Sequence, residues 1–316
     1  MARGHHDIGG LPGAGPIDQT EHRLSDWEIL ADAVNRSLGS KGIRRTDEER
    51  RAREEMDPDV YRKASYYERW IAGVEIILIE KGILKKAEID GKLTEFEKTW
   101  GEPMDDSSPD EHAHEHPNHE LGYYAKRIYA IRDLLLEKGV ITQKDIQSKI
   151  DYQEARSPAN GARIVARAWV DADFKARLIA DPKAACADLG IDASTLHEFV
   201  VLENTERSRH MVVCTLCSCY PTPILGRPPD WYKSFNYRQR AVNDPRGVMR
   251  EFGLVLPDEV EVRVHDSTAD IRYLVLPLRP KGTEKLSEAE LAKLVTRDSM
   301  IGVMDPLPTL PKEKPL

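Results

Sequence analysis

The chain has 316 residues, which is enough for about two domains. Its 54 acidic residues outnumber its 46 Lys and Arg residues, and the resulting net charge of −8 argues against a nucleic acid partner. The sequence contains no run as long as the ~18 apolar residues of a transmembrane helix and no apolar signal segment at its N-terminus, so we expect a cytoplasmic protein without a membrane partner.

Glycine and proline are frequent in residues 1–25, which show little apolar periodicity and are therefore expected to be extended. This segment is either a disordered tail or an arm that wraps a partner. Helices are predicted to begin after Ser25, with Glu28 in the capping-box position, and again at Thr46. The first part of the chain is thus predicted to be mainly helical.

The predicted helical region contains the first copy of a short internal sequence repeat. A break is expected at Met56-Asp57-Pro58, and an apolar helix is predicted from Tyr66 to a glycine C-cap at Gly82. Residues 79–84 are similar in sequence to residues 136–141, and both copies have the pattern of a helix, a glycine cap and a second helix. The repeat predicts two related helical hairpins, one on each side of a linker.

That linker is predicted at residues 105–120, which are acidic and polar. Four histidines alternate along its second half: His112, His114, His116 and His119. We interpret the segment as a solvated linker, and the alternative is a transient relay that binds a metal ion loosely. The linker divides the chain into a domain of residues 1–104 and a domain of residues 121–316.

The second domain mixes predicted helices and strands. Helices are expected in four regions, with two in each of the first two: 121–150, 158–190, 234–252 and 287–295. Short apolar or alternating segments predict four strands: 199–202, 211–213, 260–264 and 271–276. We expect the last two strands to form a hairpin across His265-Asp266-Ser267. The fold class is therefore α+β, with a helical arm and hairpins followed by a layered α/β domain.

Three of the four cysteines, Cys214, Cys217 and Cys219, fall within six positions after a predicted strand, whereas Cys186 lies at core spacing on a predicted helix. Disulfides between such close neighbours would be strained, and burial as small apolar side chains is a weak explanation for three thiols together. Thiolates are soft ligands for late transition metals. A structural zinc site would need a fourth Cys or His, and His210 is poorly spaced to supply it. A metal site with further local donors is therefore predicted, and backbone amides are available.

The run Val-Cys-Thr-Leu-Cys-Ser-Cys-Tyr at 213–220 resembles the metal-binding motif of the nitrile hydratase family, with Thr215 as in its cobalt-type members. Further segments, including Pro-Pro-Asp-Trp-Tyr-Lys-Ser at 228–234, are similar to the α subunit, and the resemblance covers nearly all of residues 121–316. His-Asp-Ile-Gly-Gly at 6–10 and Tyr-Tyr-Glu-Arg-Trp at 66–70 resemble the N-terminal half of the β subunit. The resemblance implies a β-like helical domain fused to an α-subunit-like catalytic domain.

In this family the metal is a trivalent ion, so the resemblance implies Co(III), with Fe(III) as the alternative. It implies ligation by the sulphurs of Cys214, Cys217 and Cys219 and by the amide nitrogens of Ser218 and Cys219, with one coordination position open. It further implies that Cys217 becomes a sulfinate and Cys219 a sulfenate, and that Cys219 acts as nucleophile or as base toward water.

The resemblance also assigns roles outside the loop. Arg50 matches an arginine that contacts the oxidised cysteines, with Arg51 as an alternative register. Tyr66 matches a tyrosine near the substrate, and Asn204 a site where an amide side chain orders water. Without the resemblance, we would interpret the charged run 48–55 as a solvated helix face and the tyrosine as a core residue.

The activity that the resemblance implies is that of a nitrile hydratase, a hydro-lyase-type enzyme that converts a nitrile to an amide. The alternatives are a thiocyanate hydrolase, which gives carbonyl sulfide and ammonia, and a cobalt carrier or assembly protein. The family β subunit ends in a small barrel domain for which this chain has no room. We therefore expect a separate chain to supply it in a hetero-oligomer, as in the split arrangements of thiocyanate hydrolase and toyocamycin nitrile hydratase.

Overall fold

A computed structural model describes residues 4–99 and 122–311, so the predicted His-rich linker at 105–120 lies outside the described residues. Within these ranges the chain forms sixteen helices and four strands, which confirms the α+β prediction. The chain divides into two compact units, one from Arg23 to Asp151 and one that joins the residues up to His22 with those from Tyr152 onward. No helix in the described ranges has both the length and the apolar character needed to cross a membrane.

The first unit is helical. Its helices are α1 (Asp26–Ser40), α2 (Thr46–Glu54), α3 (Pro58–Lys63), α4 (Tyr66–Glu80), α5 (Lys86–Thr99), α6 (Tyr123–Glu137) and α7 (Gln143–Glu154). The predicted capping box is present, because the Glu28 carboxylate accepts a hydrogen bond from the Ser25 backbone N–H at 2.9 Å. The predicted break at 56–58 separates α2 from α3.

Both predicted helical hairpins are present in this unit. Gly82 ends the turn after α4 with φ of +67°, and Gly139 ends the turn after α6 with φ of +65°. A residue with a side chain is strained in this left-handed region, which explains glycine at both positions. Leu38, Leu78 and Leu135 are buried in the apolar core that α1, α4 and α6 share.

The second unit carries the remaining elements. They are α8 (Ala159–Val170), α9 (Ala172–Ala180), α10 (Pro182–Asp188), β1 (Glu198–Glu203), β2 (Ser208–Val213), α11 (Thr222–Leu225), α12 (Asp230–Lys233), α13 (Phe235–Asn243), α14 (Pro245–Glu251), β3 (Glu261–Asp266), β4 (Ile271–Leu276), α15 (Glu288–Ala292) and α16 (Arg297–Ile301). Helices α9 and α10 pack on β1, α13 on β2, α14 on β3 and α16 on β4. Every strand is therefore covered by at least one helix.

The prediction of two helices in 158–190 is wrong, because the segment forms α8, α9 and α10. Asp171 interrupts the apolar pattern: its carboxylate accepts a hydrogen bond from the Phe174 backbone N–H at 2.8 Å and so caps a new helix. The segment 234–252 likewise contains two helices, since Asp244 caps α14 through the Gly247 N–H at 2.9 Å.

The predicted hairpin between the last two strands is also wrong. Strand β1 pairs in parallel with β4, and β2 pairs in parallel with β3, so β3 and β4 belong to different sheets. The Ser267 N–H donates to the Val213 carbonyl at 2.7 Å, and the Glu198 N–H donates to the Asp270 carbonyl at 2.8 Å. The chain therefore crosses from one sheet to the other within four residues instead of turning back on itself.

The N-terminal arm is extended, as predicted, and no helix or strand occurs in residues 4–22. Ile8 and Ile17 are each only 6% exposed. The Ile17 backbone N–H donates to the Glu251 carboxylate at 2.8 Å, so the arm follows α13 and α14 of its own chain. It belongs to the second unit and is not a disordered tail.

Candidate metal centre

The three clustered cysteines occupy a loop that leaves the end of β2. The sulphurs of Cys214 and Cys217 are 3.4 Å apart, and those of Cys217 and Cys219 are 3.3 Å apart. All three sulphurs lie within 4.8 Å of one another, and no disulfide joins them. The Cys217 N–H donates to the Cys214 sulphur at 3.2 Å and closes the turn. The loop thus brings three sulphur atoms, which are soft metal ligands, together in one small volume.

Burial and mutual contact favour the protonated thiols of Cys214 and Cys219. Contacts with Cys217 and Cys219, together with burial, raise the pKa of the Cys214 thiol well above its usual value. The pKa of Cys219 is raised to about 11: the hydrogen bond with Cys214 lowers it, but the contact with Cys217 and burial outweigh that effect. Because metals bind thiolates, a cation reverses this balance and releases protons on binding. The donor set therefore fits a thiophilic metal ion.

The loop is held at Thr215 from two sides. The Thr215 backbone N–H donates to the Asp266 carboxylate at 3.0 Å, and the Thr215 hydroxyl donates to the same carboxylate. The Arg238 guanidinium donates to the Thr215 carbonyl at 2.8 Å, and Arg238 is only 1% exposed. Asp266 ends β3 and Arg238 lies on α13, so two separate elements fix the backbone beside the first cysteine.

A tyrosine fixes the loop at its other end. The Tyr232 hydroxyl donates to the Cys219 carbonyl at 2.8 Å, and Tyr232 is fully buried. Tyr237 is equally buried, and its hydroxyl donates to the Val212 carbonyl on β2. The two hydroxyls therefore hold main-chain carbonyls at both ends of the loop, but only Tyr232 acts on a cysteine.

Removing the Tyr232 hydroxyl is expected to loosen the centre selectively. Tyr232→Phe should speed metal loss to a chelator about tenfold, because residues that orient ligands typically contribute 10- to 100-fold to metal affinity. The matched control is Tyr237→Phe, which should lose a similar ~1–2 kcal/mol of stability while metal loss stays near the original rate. Metal content during dialysis and thermal unfolding together check this prediction, and equal metal loss in both variants would contradict it.

Two family models match the chain. The model for "Nitrile hydratase, alpha chain" matches residues 122–304, and the model for "Nitrile hydratase beta subunit, N-terminal" matches residues 1–120. The chain belongs to the nitrile hydratase family. A single polypeptide carries the β N-terminal match followed by the α match, which confirms the predicted order.

Individual relatives agree with this assignment. The chain is 52% identical over 190 residues to a low-molecular-weight cobalt-containing nitrile hydratase α subunit from Rhodococcus rhodochrous, which covers 60% of this chain and 91% of the relative. It is 44% identical over 190 residues to thiocyanate hydrolase subunit γ from Thiobacillus thioparus, which covers 57% of this chain and 78% of the relative. A solved iron-type nitrile hydratase variant from Comamonas testosteroni aligns with a TM-score of 0.56 at 43% identity and covers 60% of this chain and 95% of that chain.

The nitrile hydratase resemblance also names residues outside the loop, and Asn204 is one of them. Asn204 follows β1, is 4% exposed, and its side-chain oxygen accepts a hydrogen bond from the His210 N–H at 2.9 Å. His210 lies on β2 four residues before Cys214. The amide oxygen of Asn204 thus fixes the backbone in the first half of β2, whereas the cysteines follow the last residue of this strand.

Arg50 and Tyr66 lie in the helical unit. Arg50 is a half-buried residue of α2, and Tyr66 is the first residue of α4, with its ring 5.3 Å from that of Trp70. Arg51, the alternative register, has a 42% exposed side chain that pairs with Glu55 at 2.6 Å and with Glu80. Arg51 is thus held by surface ion pairs within the helical unit.

Sequence reasoning missed the residues that support the cysteine loop. The sequence places Asp266 only in an expected turn and Tyr232 only within the family-like segment 228–234, and it assigns no role to Arg238. In the structure Arg238 donates to two main-chain carbonyls, those of His6 and Thr215. Asp266 and Arg238 lie among polar neighbours in the sequence, so no local pattern marks them as supports of the loop.

Proposed function

We propose that this chain is the metal-carrying chain of a cobalt nitrile hydratase, which adds water to a nitrile and gives an amide. The observation that carries the proposal is the convergence of three cysteine sulphurs within 4.8 Å in one loop. Membership of the nitrile hydratase family and 52% identity to a cobalt-containing α subunit support it.

In the proposed centre the sulphurs of Cys214, Cys217 and Cys219 and the amide nitrogens of Ser218 and Cys219 hold the ion. We propose Co(III), because Thr215 follows the cobalt-type motif and the R. rhodochrous relative contains cobalt. Fe(III) is the alternative, since an iron-type nitrile hydratase is among the solved structures that the chain resembles. When bound, such an ion supplies Lewis acidity toward the nitrile or toward water.

The proposed roles of the protein groups follow from their chemistry. Cys217 would carry a sulfinate and Cys219 a sulfenate, and the oxygen on Cys219 would act as base toward water or as nucleophile. Arg50 would donate to these oxygens, since a guanidinium suits anionic acceptors in a dry site. Tyr66 would contact the substrate. Asn204 would order water through its amide nitrogen, because its oxygen accepts from His210.

The second candidate function is thiocyanate hydrolysis to carbonyl sulfide and ammonia. The specific observation in its favour is the 44% identity to a thiocyanate hydrolase γ subunit over 78% of that relative. Both substrates are small and carry a carbon–nitrogen triple bond, so the same metal site could accept either.

We further propose that the active form is a hetero-oligomer. The β-type match is to an N-terminal family model and stops at residue 120, so a second chain would carry the C-terminal barrel of the β subunit. A nucleic acid partner is not part of this proposal. We propose a cytoplasmic location, where reducing conditions would preserve the three thiols until the metal is inserted.

One preparation tests these proposals together. The chain is purified with its co-expressed neighbours from cells grown with cobalt, and metal content and the mass of the peptide containing residues 214–219 are measured. We expect cobalt and a mass gain of three oxygen atoms, and an amide product from nitriles without ammonia. A preparation from cobalt-free medium is the control and should lack both the mass gain and the activity.

Other outcomes separate the alternatives. Ammonia and carbonyl sulfide from thiocyanate, without amide from any nitrile, would establish the second candidate. Zinc in place of cobalt, with three unmodified cysteines, would contradict both enzymatic proposals. Cobalt that passes to another apoprotein, with no turnover of either substrate, would make the chain a carrier.

A further inference from the structure

The N-terminal arm lies directly against the cysteine loop. A Cβ atom on Gly9 would lie 2.5 Å from Thr215 Cγ2 and 2.7 Å from Thr215 Cβ, so the arm backbone touches this side chain as closely as a glycine permits. Arg238 donates to the His6 carbonyl at 3.1 Å and to the Thr215 carbonyl at 2.8 Å through the same nitrogen. One buried guanidinium thus joins the arm to the loop.

The next residue fastens the arm to α13. The Gly10 N–H donates to the Gln239 carbonyl at 3.0 Å, and the Asn243 side-chain amide donates to the Gly10 carbonyl at 2.5 Å. Gly10 has φ of +72°, a conformation in which other residues are strained. Gly9 and Gly10 are therefore both required, the first for close approach and the second for its backbone conformation.

Two of the three sulphurs are shielded behind this contact. Cys214 is fully buried and Cys219 is 7% exposed, whereas Cys217 is partly exposed. An ion that reaches all three sulphurs from solvent therefore needs the loop to open. Cys214 precedes Thr215, and any displacement of Thr215 breaks its contacts with Gly9 and Arg238. Because residues 4–22 form no helix or strand, the arm can lift locally without unfolding a regular element.

We propose that residues 6–10 form a strap that closes the cysteine loop and lifts when a metal ion enters or leaves. The role of the strap in metal entry rests on the proposed function, whereas the experiment that detects the strap does not depend on it. In the metal-free chain the strap controls how fast the buried thiols meet solvent, and in the loaded chain it slows loss of the ion.

The test uses Gly9→Ala in the full chain, prepared without cobalt. Cysteine alkylation by iodoacetamide under native conditions is followed by mass spectrometry of each peptide. We expect Cys214 and Cys219 to react at least about tenfold faster than in the original chain, because the added methyl overlaps Thr215 and favours the lifted arm. Uptake of added Co(II) should accelerate in parallel.

The matched control is Gly15→Ala in the same arm. A Cβ there would lie 3.6 Å from the Asn236 side-chain nitrogen, an ordinary contact, so alkylation should keep its original rate. Adding Thr215→Ser to Gly9→Ala removes the nearest overlapping atom but keeps the hydroxyl that donates to Asp266, so it should partly restore slow alkylation. Asn243→Ala alters an exposed side chain and removes its hydrogen bond to the Gly10 carbonyl, so it should accelerate alkylation more weakly. It replaces Gly9→Ala as the test variant if Gly9→Ala does not fold.

The outcomes distinguish this inference from the proposed function. Original alkylation rates in both Gly9→Ala and Asn243→Ala, or equal acceleration in Gly15→Ala, would overturn the strap. Absence of cobalt and of oxidised cysteines in the original chain would overturn the proposed function, while faster alkylation in Gly9→Ala would still establish the strap.

Discussion

Cys217→Ser is expected to abolish cobalt retention and nitrile hydration. Serine offers a hard oxygen whose proton is not lost at neutral pH, and it cannot become a sulfinate. Cys217 is also the central sulphur of the cluster, 3.4 Å from that of Cys214 and 3.3 Å from that of Cys219. The loss of activity should exceed about 100-fold, the upper range for residues that only orient a metal ligand.

Cys186→Ala is the matched control, because Cys186 is the one cysteine outside the loop. It lies on α10 in the apolar core and is fully buried, and burial raises the pKa of its thiol to about 12. This variant should lose about 1 kcal/mol of stability and keep its cobalt and its activity. Metal analysis and amide formation on both variants check the pair. Cobalt retained by Cys217→Ser at the original level would contradict the proposed ligand set.

The cysteine cluster could be predicted from the sequence because its donors are local. Three thiols within six positions cannot move far apart, and the resemblance of 213–220 to a known motif named the chemistry. Helix ends were also predictable where a cap is local, as at Ser25 and Gly82. Asp171 is a cap too, but the apolar pattern on both sides of it hid the break between α8 and α9.

The supports of the loop could not be predicted, because they depend on strand pairing. Asp266 reaches Thr215 only because β3 runs parallel to β2, with Asp266 opposite Val213. The short connection from β3 to β4 favoured a hairpin, which would have removed Asp266 from the loop. Parallel pairing joins residues 53 positions apart in this register, so no local pattern in the sequence indicates it.

Gly302→Ala is expected to be among the most destabilising single changes in the second unit. Gly302 ends α16 with φ of +87°, and a Cβ there would overlap the His210 carbonyl oxygen and lie 2.9 Å from its carbonyl carbon. These atoms are backbone atoms of β2, which cannot rotate away. The left-handed conformation costs an alanine ~1–2 kcal/mol, and the overlap should raise the total loss to roughly 3–5 kcal/mol.

Gly253→Ala separates the two costs. Gly253 has nearly the same φ of +85°, but a Cβ there would meet nothing within 4 Å, so its loss should stay near ~1–2 kcal/mol. Chemical denaturation followed by tryptophan fluorescence measures the difference, and Trp169 and Trp231 report on the second unit. Since β2 leads into the cysteine loop, Gly302→Ala should also lower the cobalt content, whereas Gly253→Ala should not. Equal losses in the two variants would show that α16 does not pack against β2 as closely as the structure has it.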